Sequence, residues 1–125
     1  MGENRRIVKY FREKIVKSFL DALILKTLKD ETGLTGYNMM TRFNEKFGIM
    51  LSSGTIYSTL HGLEKKGLIE SIVKGRSRTY TLTDHGKSFI DALMGDHQIQ
   101  QFIVLLEKPV SNANAETLNL ESRAY

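Results

Sequence analysis

Apolar residues recur at helical spacing through the first quarter of the chain. Val8, Phe11, Ile15 and Phe19 mark one stripe, and Leu20, Leu23, Ile24, Thr27 and Leu28 continue it. No Gly or Pro interrupts residues 5–30, so the pattern predicts one long helix or two abutting ones, stopped by Gly33. Thr35 can cap a second helix that buries Met39, Met40, Phe43 and Phe47 and stops at Gly48. A third helix opens at Ser52 or Ser53, runs through Thr55, Ile56 and Tyr57, and ends at Gly67. Ile56, Leu60, Leu63 and Gly67 share its inner face.

The period then drops from about 3.6 to about 2. Leu68, Ile69, Ile72 and Val73 precede Lys74, Gly75, Arg76, Ser77 and Arg78, and Tyr80 and Leu82 then alternate with Thr79, Thr81 and Thr83. Two β-rich runs around a basic, glycine-containing turn predict a hairpin. Thr83 or Asp84 caps a fourth helix carrying Phe89, Ile90, Leu93 and Met94. Gly95 and Asp96 break it, and residues 97–107 resume as helix. From Lys108 onward the chain holds its single Pro and little pattern, so residues 108–125 read as a disordered tail. The expected domain is therefore 1–107. Its class is α+β, mostly helical: a winged helix-turn-helix with extra N- and C-terminal helices.

The third helix carries a distinctive outer face. With Ile56 pointing inward, about 100° per residue turns Gly54, Ser58, His61 and Lys65 outward. That face is small and polar at its start, which suits entry into a major groove about 12 Å wide. Ser53, Thr55 and Ser58 can donate to phosphates or bases, and Tyr57 can offer its hydroxyl to a phosphate. Ser and Thr near a helix start also serve simply as caps, and Tyr57 could equally be a packing residue. The hairpin tilts the balance. Lys74, Arg76 and Arg78 alternate, so all three are expected on one side of the ribbon, with Gly75 and Ser77 supplying the turn. Three cations without a neighbouring acid repel one another, and a polyanion relieves that repulsion. Duplex DNA is the expected partner.

Net charge adds modestly to this picture. It is +4, and six basic residues (Arg5, Arg6, Lys9, Arg12, Lys14, Lys17) fall within residues 1–17 against two acids. There is no cysteine, so disulfides and thiolate sites are excluded. His61, His85 and His97 lack metal-ligand spacing, so no metal is expected, and no cofactor is implied. No catalytic constellation appears, so no enzyme is expected. No apolar run reaches the roughly 20 residues needed to span a bilayer, and residues 1–12 are polar and basic without a signal core. A cytoplasmic protein is expected.

Several segments together resemble the PadR family of transcriptional regulators: Leu34-Thr35-Gly36-Tyr37, then Leu51 through Tyr57, then Leu60 through Ile69, then Arg76 through Lys87. The resemblance covers about residues 18 to 94. Relatives commonly have Pro after the Tyr of Gly-Thr-Ile-Tyr, where this chain has Ser58. The resemblance implies DNA binding by the third helix and the hairpin, dimerisation through terminal helices, and usually repression. This chain would be of the short type, without a large C-terminal effector domain.

Residues 102–106 are apolar all round, more than one packed side requires. Val8, Phe11 and Ile15 share that excess. Mutual burial of these two segments across a twofold axis, using Ile99, Phe102, Ile103 and Leu106 on the C-terminal side, is the expected dimer interface. Two third helices would then stand ~34 Å apart, one DNA turn, or a multiple of it. The sequence demands no small-molecule effector and excludes none. The rival reading is a winged-helix module that binds protein; such modules tend to lack the basic hairpin and the small-residue face present here.

Overall fold

The computed structural model describes residues 2–107, so the tail expected from residue 108 lies outside the described residues. In chain order the elements are α1 (Gly2–Ser18), α2 (Leu20–Asp30), β1 (Leu34–Thr35), α3 (Gly36–Phe47), α4 (Ser53–Lys65), β2 (Ile69–Lys74), β3 (Ser77–Leu82), α5 (Asp84–Gly95) and α6 (His97–Leu106). The N-terminal stripe is thus two helices rather than one. The break falls at Phe19, where the Ser18 hydroxyl donates to the Lys14 carbonyl at 2.8 Å. Such back-bonding diverts a carbonyl from the regular ladder and bends helices.

Capping residues fix the remaining helix starts. Thr35 and Asn38 form a reciprocal capping box on α3, and Gly48 ends that helix in the left-handed region at φ 68°. The Ser52 hydroxyl accepts from Thr55 N and Thr83 accepts from Gly86 N. Asp96 both ends α5 and caps α6, so the predicted break is real. The hairpin pairs β2 with β3, and β1 adds a third antiparallel strand in the order β1-β3-β2. At two residues β1 is too short for an alternation signal, which explains why the sequence shows no strand there.

The core fills with the residues the periodicity picks out. Leu23, Ile24, Leu25 and Leu28 of α2 meet Met39, Phe43 and Phe47 of α3, Ile56, Leu60 and Leu63 of α4, and Ile90 of α5. Among the described residues Thr27 is the one buried residue classed as polar, and its hydroxyl donates to the Leu23 carbonyl at 2.8 Å. Leu34, Ile69, Tyr80 and Leu82 close the sheet side. Of the apolar residues of α5, Ile90 takes the inward direction and Phe89 is 43% exposed.

The hairpin and α5 are locked to the end of α4 by a tight backbone approach. Thr83 N donates to the Leu68 carbonyl at 3.1 Å, and the Thr83 hydroxyl donates to the Gly67 carbonyl at 2.6 Å. Gly86 packs so close to the Leu68 carbonyl that a Cβ there would collide with backbone. Backbone cannot swing away as a side-chain tip can. Gly86→Ala is therefore expected to destabilise the domain by roughly 2–3 kcal/mol, read as a lowered urea midpoint at unchanged slope.

Candidate nucleic-acid interface

The expected reading helix is α4. Its inner face, Ile56, Leu60 and Leu63, is at most 3% exposed, so its rotation about its own axis is set by burial. Ser53, Gly54, Ser58, His61 and Lys65 all lie on the solvent side, as the helical wheel requires. Thr55 is partly committed elsewhere. It is half-buried, and its hydroxyl accepts from Ser52 Oγ at 2.9 Å while its amide donates to the same oxygen at 3.1 Å.

Tyr57 combines the two roles weighed for it. It is 46% exposed, yet the outer edge of its ring rests directly on Gly36, where any Cβ would strike it. Gly36 opens α3, so this contact ties the two helices of the helix-turn-helix and leaves the phenol at the surface between them. Tyr37 stands next to Gly36 and is 71% exposed, and Met50, in the loop before α4, is 73% exposed. Sequence reasoning did not place either at the surface of this site. The available signal was a Gly-Tyr pair in the first turn of a capped helix, too early in α3 to belong to its buried stripe.

The hairpin departs from the expected arrangement of its cations. Register pairs Lys74 with Ser77 and Val73 with Arg78, so Lys74 and Arg78 point to opposite faces of the ribbon. Gly75 and Arg76 are the two loop residues, and Ser77 is the first residue of β3 rather than part of the turn. The physical reason is the chain reversal. Alternation runs along one strand, but across a two-residue loop the flanking residues become cross-strand neighbours on one face. Lys74 and Ser77 share the outer face with Ile72 and Thr79. Arg78 shares the inner face with Ser71 and Tyr80.

That inner face is the one joined to α4. Arg78 Nη1 donates to Ser71 Oγ at 2.8 Å, and Ser71 Oγ donates to Glu64 Oε2 at 2.8 Å. The relay holds a hairpin cation beside α4 and satisfies the one acid of that helix, Glu64. Beneath it lies Tyr80. Burial pushes its phenol above the usual value; nearby Arg78 opposes that shift, and Glu64 and Tyr57 add to it. Lys65, Lys74, Arg76 and Arg78 are all solvent-exposed.

The terminal helices divide differently from expectation. Val8, Phe11 and Ile15 of α1 are 66%, 52% and 41% exposed, and Ile99 and Phe102 of α6 are 37% and 38% exposed. Ile103 and Leu106 are buried against the chain's own core, so they are not available for an intermolecular surface. On α6, Val104 and Leu105 are exposed apolar residues as well, at 51% and 76%. Phe19 and Phe102 meet edge to face at 5.1 Å beside a groove of about 380 Å³ lined by Ala22, Leu93, Ile99 and Ile103. Arg12, one of the six N-terminal basic residues, is engaged within the fold: it donates to the carbonyls of Phe47 and Leu106. Among the described residues no cluster of acids and histidines could hold a metal ion, and no helix is long and apolar enough to cross a membrane.

Comparison with known proteins bears on this geometry. The profile of the transcriptional regulator PadR-like family matches residues 24–92. Transcriptional activator GvpE of Haloferax mediterranei is 23% identical over 109 residues, covering 87% of this chain and 57% of that protein. The chain spans about half the length of the curated relatives it matches. Among solved structures, a PadR-like transcriptional regulator of Bacillus cereus is similar with TM-score 0.61 and 27% identity, over 73% of this chain and 92% of that one. Bacillus subtilis PadR in complex with operator DNA is similar with TM-score 0.54 and 29% identity, over 62% of this chain and 49% of that one. The family is one of regulators rather than enzymes. The matched residues run from α2 to α5 and include the whole helix-turn-helix and hairpin, and by that match the chain belongs to the PadR-like family of transcriptional regulators.

Proposed function

We propose that this protein binds duplex DNA sequence-specifically through α4 and the hairpin, as a homodimer on a palindromic operator, and represses transcription. The observation that carries the reading is the Glu64–Ser71–Arg78 relay. It holds a cationic ribbon against α4, whose outer face is small, polar and uncovered among the described residues. Ser53, Ser58, His61 and Lys65 then meet base edges or phosphates in the major groove. Tyr57, braced on Gly36, offers its hydroxyl to the backbone. Arg76 at the loop tip and Lys74 on the outer face extend the contact along the duplex, and Arg78 stays close to α4. The operator complex of the Bacillus subtilis relative supports this use of the fold.

The dimer rests on the exposed apolar faces. Ile7, Val8, Phe11 and Ile15 of α1 and Ile99, Phe102, Val104 and Leu105 of α6 are all large apolar residues left exposed, and clustered apolar exposure of this kind marks interaction surfaces. A twofold partner covers both and places two α4 helices on one side of a duplex. A dimer seated over a promoter blocks transcription; the Haloferax mediterranei relative is named a transcriptional activator.

Selection of bound duplexes from a random pool is expected to return two inverted half-sites; a single unpaired half-site would remove the dimer. Binding to any duplex is expected to weaken steeply with salt. Arg76→Ala with Arg78→Ala should flatten that slope by roughly 2. An unchanged slope would take the hairpin out of the interface. Gly36→Ala should cost less than about 1 kcal/mol of stability, since only a half-exposed ring must move. It should nevertheless weaken operator binding about tenfold, the worth of one hydrogen bond to a charged oxygen. Unimpaired binding by that variant would remove Tyr57 from the contact.

A further inference from the structure

Arg12 joins α1 to both the helix-turn-helix and α6. Its Nε and Nη2 donate to the Phe47 carbonyl at 3.3 and 3.1 Å, and the same Nη2 donates to the Leu106 carbonyl at 2.6 Å. Phe47 is the last residue of α3, and Leu106 is the last residue of α6. Carbonyls in a final turn have no partner within their own helix, and the negative end of the helix dipole favours a cation there. One planar guanidinium fork satisfies both ends at once, which a single ammonium on a shorter reach does not reproduce.

The clamp matters because α1 has little else to hold it. Val16 is its only buried residue, and Ile7, Val8, Tyr10, Phe11 and Ile15 face solvent. A helix attached at one apolar point can pivot about it. Arg12, four residues away, is a second, directional attachment about one turn along the helix. Its target also lies close to the reading head. Past Phe47, Gly48 turns the chain, Ile49 and Leu51 are buried, and Ser52 caps α4. The orientation of α1 is thereby tied to the turn from which α4 starts.

We propose that Arg12 is the positioning residue that sets the distance between the two reading helices, and so the half-site spacing the protein accepts. This rests on the dimeric DNA-binding reading above. Within that dimer, α1 is the shared element and α4 the reporting one, and Arg12 is the rigid joint between them. Loosening the joint leaves each half-site contact intact and removes the demand for one spacing.

The test compares the full chain with Arg12→Gln and Arg12→Lys on duplexes carrying two inverted half-sites at stepped separations, and on a duplex with one half-site. The wild type is expected to prefer one separation by more than about tenfold, and both variants to fall within about threefold across the series, as a loosened bivalent linkage requires. Affinity for the single half-site should stay within about twofold of wild type, since no DNA-contacting group has changed. A second readout needs no DNA. The chain has no cysteine, so a spin label at Glu70→Cys reports the distance between hairpins in the free dimer. One narrow distance is expected with Arg12 and a broad distribution without it. Variants that keep the wild-type spacing preference and the narrow distance overturn the role of Arg12 alone. A wild type that is monomeric, or that binds no duplex, overturns the underlying reading and this inference with it.

Discussion

The structure depends on a single helix being buried on one side and bare on the other. Ile56, Leu60 and Leu63 sink α4 into a core shared with α2, α3 and β2, so the helix cannot roll. Its other face has no protein neighbour among the described residues, and the side chains there are small or polar. Burial of large aliphatic side chains, each contributing about 1.5–3 kcal/mol, is what makes this presentation rigid. The hairpin is secondary to it. Ser71 and Arg78 reach α4 only because Ile69 and Leu82 seat the ribbon's root in the same core.

Charge is distributed to match. At the junction of α2 and α3 the acids are answered locally. Glu31 takes a two-pronged contact from Arg42 at 2.7 Å that holds its carboxyl below the usual range. For Asp30, burial works upward, but Lys26 and Lys46 outweigh it and hold its carboxyl low as well. Lys29 is paired with Asp91 at 2.6 Å. Exposed pairs of this kind add little stability, so their effect is chiefly to neutralise that side of the molecule. The excess positive charge is left on the hairpin, the end of α4 and the outer part of α1. Of these, Arg78 of the hairpin is tied to the end of α4 through Ser71 and Glu64. The α1 cations do not share that link by any contact among the described residues, and Arg12 in particular is turned inward.

The helices, their caps and the core were legible because periodicity and capping are local. Thr35, Ser52, Thr83 and Asp96 each act within three residues of their own position. The outward set on α4 was legible for the same reason. Features that depend on chain reversal or on distant backbone were not. Alternation counted through the loop put Lys74 and Arg78 together, whereas the register separates them. The apolar run at 102–106 did not reveal that Ile103 and Leu106 turn inward, because every direction looked alike. Arg12 read as one more surface cation, since its partners are carbonyls 35 and 94 residues away. Gly36 carried no visible role until Tyr57 was found lying on it.

The central claim is that α4 and the hairpin form one duplex-binding face. Amide and side-chain NMR signals, followed as an operator duplex is added, test it most directly. A shared duplex-binding face gives shifts concentrated in residues 52–65 and 74–78 and in Tyr37, with the α2–α5 side around Asp91 left unchanged. Shifts confined to α5 and α6, or to only one of the two elements, would contradict it.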